Sequence, residues 1–273
     1  MEFLTSSRKE VKSDLRVVIL GVKGGVGKST IGLLLAKELC ERGKRVLFVD
    51  RDQMGYASWI AGIKGKGLIA SIVDEQRSDY FTEIGVGKGR LTVLKFYGDG
   101  FRLKKDLEVI NLDQRRRELF ARLYGEVLRL GHDVVILDNK SSTFPWSEEI
   151  SLELMTYLKM FPGTPSFRIF ITDPFIFNIE NTISFARRLN DKKTGGSLPM
   201  KVIEQIMLIN MVPFTKLEEI RNLTVGRDLF ASVKLIPYFD QLFEFTGSVD
   251  KLPRLQEIKD IADEIERVSY RSS

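Results

Sequence analysis

Short apolar runs alternate with amphipathic stretches along most of the chain. The runs are rich in Val, Ile and Leu and nearly continuous, which is typical of strands covered by helices on both faces of a parallel sheet. The first run, a helical pattern and the second run fit within one βαβ unit. Seven runs are predicted as strands, over residues 16–20, 45–50, 90–96, 133–138, 166–172, 202–210 and 232–237.

Apolar residues at helical spacing predict the helices between these strands. After the first strand, "STIGLLLAKELCER" places Ile31, Leu34, Leu35 and Leu39 on one face, and Gly43 ends the helix. Further helices are predicted over residues 107–131 and 178–189. The last stretch, residues 252–268, has a single apolar face, which favours packing on the domain. This face comprises Leu252, Leu255, Ile258, Ile261, Ile265 and Val268.

The order of these elements predicts one α/β domain over residues 15–273, with residues 1–14 as a short polar lead-in. The expected architecture is a mostly parallel, twisted sheet of about seven strands flanked by helices on both faces. We see no repeat of fixed period and no linker long enough to divide the chain.

Composition narrows the function classes. The chain has 273 residues, 43% of them apolar, which is enough to bury a sizeable core. Its single cysteine, Cys40, excludes a disulfide within the chain and cysteine-based zinc or iron–sulfur sites, and favours a reduced, cytoplasmic setting. No apolar run approaches the ~18 residues of a membrane span. The net charge of +5 is compatible with a polyanionic partner or with an ordinary solvated surface.

A glycine-rich loop, "GVKGGVGKST" at residues 21–30, follows the first strand directly. A strand feeding such a loop into a helix points successive backbone N–H groups at one spot, where the helix dipole favours an anion. Gly24, Gly25 and Gly27 permit the required backbone angles. Lys28 would reach the β- and γ-phosphates of a nucleotide and the Ser29 hydroxyl would bind Mg²⁺. The alternative is a tight strand–helix turn that merely uses glycines.

One departure from the general phosphate-loop motif is informative, because the chain has Val22 where a glycine is usual and Lys23 ahead of the glycines. This variant resembles the deviant Walker A motif of the ParA/MinD family of ATPases. The resemblance implies a P-loop NTPase fold, ATP and Mg²⁺ as cofactors, and a homodimer that sandwiches ATP. Lys28 would then serve its own site and Lys23 the partner's nucleotide. The implied nucleotide-binding residues of the loop are Gly24, Gly25, Val26, Gly27, Lys28, Ser29 and Thr30.

The resemblance extends to two acidic motifs. "VDRDQMGYASW" is similar to the family's D-x-D element, which implies that Asp50 lies near the metal and that Asp52 orients the attacking water. The other interpretation of Asp52 is a solvated residue after a strand. "HDVVILD" resembles the Walker B strand and implies that Asp138 supports Mg²⁺, a role that also suits an aspartate at the end of a buried strand.

Other segments agree less closely with the family. "NKSST" at residues 139–143 stands where a small residue and two prolines are usual, so Lys140 adds a charge to the switch II region. By resemblance, Asn210 in "MLINMVP" contacts adenine and the backbone around Pro237 lines the base. Asn210 could equally be a helix cap or a turn residue. The single histidine, His132, precedes a strand and is predicted at the surface.

Among the roles known in this family, DNA partition is favoured. Cluster loaders need a cysteine pair, which this chain lacks. The last helix carries more acidic than basic residues, and anionic lipid would repel it, so no membrane partner is expected. The resemblance implies a partition ATPase with non-specific DNA and a ParB-like adaptor as partners. Basic clusters at residues 102–105 and 115–117 are further candidates for contact with DNA phosphates, and each basic cluster could also be a solvated face. The preferred DNA contacts are Arg187, Arg188, Lys192 and Lys193.

Two alternatives remain open at the level of the sequence. The first is a MinD-like switch that positions a protein complex without DNA. The second keeps ATP binding with little turnover, because the altered sequence after Asp138 would impair switching.

Overall fold

Eight strands form one sheet in the computed structural model, which describes residues 13–144, 146–191, 200–222, 226, 228–243 and 245–272. The sheet order is β3-β4-β2-β5-β1-β6-β7-β8. Only the β3–β4 pair is antiparallel, and every other neighbouring pair is parallel. The strands are β1 (Leu15–Leu20), β2 (Arg45–Arg51), β3 (Phe81–Val86), β4 (Gly89–Lys95), β5 (Val134–Asn139), β6 (Ser166–Thr172), β7 (Val202–Val212) and β8 (Ser232–Pro237).

Helices cover both faces of the sheet, as the sequence predicts. The central strands are buried on both sides; all residues of β5 and β6 are buried. The helices are α1 (Lys28–Glu41), α2 (Tyr56–Ile60), α3 (Leu68–Val73), α4 (Leu103–Leu112), α5 (Gln114–Leu128), α6 (Glu148–Met160), α7 (Ile176–Asn190), α8 (Leu217–Arg221), α9 (Asp240–Phe243) and α10 (Gln256–Ser272). The prediction of a mostly parallel α/β sheet is therefore confirmed.

One face of the sheet is covered by α1 and α10. Leu35 and Leu39 of α1 share a core with Ile261 and Ile265 of α10. The six apolar residues predicted on the last helical face are all buried, although the first two precede the helix. Arg42 at the end of α1 adds a salt bridge to Glu266, 3.0 Å away. The apolar stripe of α10 thus packs on the sheet instead of facing solvent.

The opposite face carries a separate core between the sheet and α3 to α6. Phe96, Phe120 and Tyr124 pack edge-on or stacked there, with ring centroids 5.5 to 5.9 Å apart. A third core lies under α7, around Phe170 and Phe185. The arrangement has three layers, with the carboxyl ends of the parallel strands at one edge.

One strand was not predicted, and one predicted helix is wrong. The eight strands agree with the expected number of about seven, and the additional strand, β3, forms a hairpin with β4 through a turn at Gly87, whose φ is 58°. The predicted long helix over residues 107–131 is two helices. Asp113 is extended between them, and its carboxylate accepts hydrogen bonds from the backbone N–H groups of the first turn of α5. An N-cap of this kind starts a new helix within a continuous apolar pattern.

His132 also lies elsewhere than predicted. It is 2% exposed, between α5 and β5, with Nε2 3.0 Å from the Thr92 hydroxyl. Burial lowers the pKa of this imidazole to about 4. Of the expected polar lead-in, residues 1–12 lie outside the described residues. No described helix is both long enough and apolar enough to cross a membrane.

Candidate functional site

The glycine loop joins β1 to α1 at the carboxyl edge of the sheet. Gly25 and Gly27 have φ of 77° and 88°, in the left-handed region that favours glycine. Gly27 is the N-cap residue of α1, and no side chain caps the N–H groups that follow it. These N–H groups, with the positive end of the helix dipole, make the loop an anion site.

The Lys28 side chain contacts both the glycine loop and the segment after β5. Its ammonium donates a 2.8 Å hydrogen bond to the Ser141 hydroxyl and one of 3.3 Å to the carbonyl oxygen of Lys23. The side chain is nearly buried, and burial lowers the pKa of the ammonium, while the charges of Asp138 and Asp52 oppose that shift. The structure thus brings the predicted lysine and the predicted carboxylates together at the loop.

The two buried aspartates lie side by side. Asp50 on β2 and Asp138 on β5 are register partners, and both side chains are fully buried. Asp50 accepts hydrogen bonds from the Ser58 backbone and hydroxyl, at 2.7 and 2.6 Å. Burial raises the pKa of Asp50 to about 6, although these bonds oppose the shift. Burial raises the pKa of Asp138 to about 8, with the adjacent Asp50 acting in the same direction.

The surroundings of the Asp138 carboxylate show whether this site fits a cation. Among the described residues, neither of its carboxylate oxygens has a well-formed hydrogen bond, although the Ser29 hydroxyl lies close enough to lower its pKa. A buried carboxylate without a partner is costly, and a hard divalent cation prefers oxygen ligands. Within the described residues no three His, Cys, Asp or Glu side chains are grouped to enclose a metal. A cation beside Ser29 and Asp138 would therefore need ligand or water oxygens as well.

Asp52 follows β2 in a tight turn. Its Oδ2 accepts a 2.9 Å hydrogen bond from the Met54 backbone N–H, and its own N–H donates to Asp50 at 3.2 Å. Its charge acts on both Lys28 and Asp138, so it lies within the same electrostatic cluster. The structure places Asp52 at the loop, and its role with an attacking water stays a prediction.

Lys23 pairs with a residue that sequence reasoning missed. Its ammonium lies 2.7 Å from Asp173 Oδ2, after β6, and 5.7 Å from the centre of the Phe175 ring. Asp173 also accepts from Asn178 and from the Phe175 backbone. The Lys23 side chain remains 52% exposed. The signal for Asp173 was the "TDP" turn at the end of a buried strand, which predicts a turn but no partner.

Asn210 and Pro237 lie together beside the loop. They line a pocket with Gly25, Thr30 and the aromatic ring of Phe239. The backbone bends here, because Met211 has a φ of 59° and the register between β7 and β8 shifts before Val212. The Asn210 amide donates a 2.9 Å hydrogen bond to the carbonyl oxygen of Val26. In this structure Asn210 therefore holds the glycine loop, and its contact with adenine stays a prediction.

The unusual segment after Asp138 also supports the glycine loop. Asn139 donates a 2.9 Å hydrogen bond to the carbonyl oxygen of Ile19. Ser142 donates to two loop carbonyls, from its N–H to Gly21 and from its hydroxyl to Val22, both at 2.9 Å. The serines were not predicted as site residues, since they are about 120 residues from their partners along the chain.

The candidate DNA contacts are only partly described. Arg187 and Arg188 are exposed near the end of α7, and Arg187 lies 3.7 Å from Asp228. Lys192 and Lys193 lie outside the described residues. Arg102, in another basic cluster, pairs with Asp74 and Asp106, which offsets its charge.

Part of the chain is similar in sequence to known proteins. Residues 16–143 match the AAA domain family model. The iron–sulfur cluster carrier protein of Pyrococcus abyssi is 27% identical over 131 residues, 48% of this chain and 44% of that protein. The chromosome-partitioning ATPase Soj of Thermus thermophilus is 43% identical over 51 residues, 19% of this chain and 20% of that protein. The chain thus spans less than half the length of these curated relatives.

The fold is that of a septum site-determining protein. The MinD structure from Pyrococcus horikoshii, complexed with Mg–ADP, superposes with a TM-score of 0.61 at 18% identity. The match covers 94% of this chain and 98% of that one.

Proposed function

Because the chain belongs to the ParA/MinD family of P-loop ATPases, we propose that it is a cytoplasmic, Mg²⁺-dependent ATPase of the ParA type. In this proposal ATP binding produces a sandwich dimer that holds non-specific DNA, and a ParB-like adaptor stimulates hydrolysis during partition of a replicon. The observation that carries the ATPase is Lys28 at an anion-binding loop, where the charges of Asp138 and Asp52 act on it and Asp50 lies beside Asp138.

The loop and first turn of α1 would hold the phosphates of ATP. Backbone N–H groups from Gly24 to Thr30 supply neutral donors, and Lys28 supplies a positive charge. Because Lys28 is buried, little water competes for this charge. Ser29 and Asp138 would hold Mg²⁺, directly or through water. When bound, the cation would neutralise phosphate charge. Asp50, fixed by Ser58, keeps a second carboxyl group next to Asp138.

In this proposal Asp52 orients the attacking water. It is half-buried, it lies in a turn, and neighbouring charges surround it. Hydrolysis of a phosphoanhydride depends more on the position of water and on charge stabilisation than on a protein nucleophile. Asn210 and Pro237, with the aromatic side chains near them, would cover the base.

Lys23 supports the dimeric part of the proposal. Within one chain its ammonium pairs with Asp173, and half of the side chain is exposed. A second copy could therefore receive this charge if the Lys23–Asp173 pair opened. The expected result is ATP-dependent dimerisation in analytical ultracentrifugation that Lys23→Ala abolishes and that Lys64→Ala, an exposed lysine far along the chain, leaves intact.

Nucleotide binding is the first test of the ATPase. Titration with a fluorescent ADP analogue in Mg²⁺ should give saturable binding that Lys28→Ala weakens at least tenfold, with Lys64→Ala again as the matched control. Equal binding by the Lys28→Ala protein would refute the assignment of the loop.

DNA binding is tested separately. A mobility shift with random duplex DNA should show retention with ATP–Mg²⁺ and not with ADP–Mg²⁺. The retention should be lost in high salt, because phosphate contacts release counterions. Replacing Arg187 and Arg188 by Ala should weaken it, whereas Arg77→Ala, at another exposed site, should not. Retention that is indifferent to nucleotide would remove DNA as the cargo.

An exposed apolar patch favours a second candidate function, a MinD-like switch for a protein partner. Phe175, Ile176 and Phe177 at the start of α7 are 51% to 70% exposed, and Phe175 lies beside Lys23. Contiguous exposed apolar residues are typical of protein interfaces. An iron–sulfur carrier has less support, because Cys40 is buried and burial raises the pKa of its thiol to about 12.

A further inference from the structure

The Ser141 hydroxyl lies at the end of the Lys28 side chain, on the segment that follows β5. Its oxygen accepts the 2.8 Å hydrogen bond from the Lys28 ammonium, which is its one hydrogen bond among the described residues. An ammonium group has donors only, whereas a hydroxyl both accepts and donates. Ser141 can therefore serve Lys28 as an acceptor and still offer its own proton to a ligand beside the lysine.

The same hydroxyl also lies next to the glycine loop. Its oxygen is 4.0 Å from the position that a Cβ atom on Gly24 would take. For Gly25, no atom of the described residues lies within 4 Å of the corresponding position. Ser141 is half-buried, so solvent and ligands can reach it. The serine thus borders both the loop and the ammonium that would hold the phosphates.

The residues on either side of Ser141 are tied to β1 and to the loop. Asn139 donates a 2.9 Å hydrogen bond to a backbone carbonyl of β1. Ser142 donates two more, also of 2.9 Å, to the carbonyl oxygens of Gly21 and Val22. A donor that is held in place before the ligand arrives loses little conformational entropy on binding. The position of the Ser141 hydroxyl is in this sense prepared for a ligand.

In the proposed ATPase, the loop N–H groups hold the α- and β-phosphates and the Lys28 ammonium reaches the β- and γ-phosphates. A donor that contacts the end of Lys28 is therefore placed for the terminal phosphate. We propose that the Ser141 hydroxyl donates a hydrogen bond to the γ-phosphate of ATP and so discriminates ATP from ADP. This inference rests on the proposed function and adds a specificity-determining residue to it. A proline, which is usual in the family at this position, has no such donor.

Calorimetric titration in Mg²⁺ with ADP, and with the ATP analogue AMPPNP, which is not hydrolysed at the terminal phosphate, tests the proposal. Ser141→Ala should weaken the binding of AMPPNP about ten- to a hundredfold, the range expected for a hydrogen bond to a charged group. The binding of ADP should change little, because ADP has no γ-phosphate. Ser141→Thr keeps the hydroxyl and should restore most of the affinity for AMPPNP.

Other variants control for changes in the loop and for dimerisation. Ser142→Ala removes a hydrogen bond that holds the loop, so it should weaken ADP and AMPPNP alike. Ser151→Ala, at an exposed serine of α6, should leave both affinities unchanged. In a Lys23→Ala background, where ATP-dependent dimerisation is not expected, Ser141→Ala should still weaken AMPPNP and spare ADP.

The outcomes separate this inference from the function on which it rests. A wild-type protein that binds neither nucleotide refutes both. If the wild type binds both nucleotides and Ser141→Ala weakens them equally, the serine only supports Lys28, and the discrimination is refuted while the ATPase stands. The discrimination is also overturned by an unchanged affinity for AMPPNP, by a loss that Ser141→Thr does not restore, or by a loss that disappears in the Lys23→Ala background.

Discussion

Replacing Gly27 by Ala tests how the site is held together. Gly27 has a φ of 88°, and a Cβ atom there would overlap the side-chain amide nitrogen of Asn210. That amide donates the hydrogen bond that fixes the carbonyl oxygen of Val26. The substitution therefore strains the backbone and also displaces a neighbour that holds the loop.

The two costs can be estimated from the structure. A left-handed conformation costs an L-residue about 1–2 kcal/mol. Displacing Asn210 breaks a hydrogen bond to a buried carbonyl, which costs about 1–2 kcal/mol more. The free energy of unfolding should thus fall by about 3 kcal/mol, which a typical domain tolerates. Gly25→Ala is the matched control, because Gly25 has a φ of 77° and no atom within 4 Å of an added Cβ. It should cost only about 1–2 kcal/mol.

Urea unfolding without nucleotide measures both costs, and a double-mutant cycle isolates the contact. Asn210→Ala alone should lower the free energy of unfolding by about 1–2 kcal/mol. In the Gly27→Ala background the same change should cost almost nothing, since the hydrogen bond is already lost and the overlap is relieved. Equal losses for Gly25→Ala and Gly27→Ala, or full additivity with Asn210→Ala, would refute the reasoning.

Three further predictions concern the rest of the fold. Glu153→Gln removes the carboxylate that Arg16 and Arg51 share, so urea unfolding should show a loss of about 3–5 kcal/mol, and a loss below about 1 would contradict a buried charged pair. Asp113→Ala removes the N-cap of α5 and should cost about 1 kcal/mol in the same assay, whereas no loss would contradict the cap. Burial lowers the pKa of His132 from 6.5 to about 4. As the pH falls, the unfolded chain therefore takes up this proton at a higher pH than the folded chain does. The contribution of the neutral imidazole to stability is fully present above pH 6.5 and is lost as the pH falls to about 4. His132→Gln should remove up to about 3 kcal/mol of that acid loss, and an imidazole NMR titration near 6.5 in the folded protein would contradict the burial.

The fold could be predicted from the sequence because its main signals are local. Buried parallel strands are continuous apolar runs, and the glycine loop identifies the junction of β1 and α1 without any knowledge of the rest of the chain. β3 escaped prediction because it is an edge strand with exposed residues, so it has no continuous apolar run. The break between α4 and α5 at Asp113 was not predicted because the helical period continues across it, and only the cap geometry separates the two helices.

The site was predictable only in part, for a physical reason. Residues at the ends of parallel strands meet at one edge of the sheet, which is why Asp50 and Asp138 could be placed together. Their other partners come from distant segments. Lys23 and Asp173 are 150 residues apart, and Arg16 and Glu153 are 137 apart. No local pattern encodes such pairs, since each depends on the register of the whole sheet.

The segment after Asp138 connects the two faces of the sheet. Ser141 and Ser142 hold Lys28 and the glycine loop, whereas Asn139 and Thr143 line a small cavity between the sheet and α6. Ser142 has a φ of 56°, an uncommon conformation for serine that persists only where the surroundings impose it. Movement of this segment would break both hydrogen bonds of Ser142 to the loop and the hydrogen bond between Lys28 and Ser141. Residues that depart from the family pattern therefore help to fix the loop and its lysine.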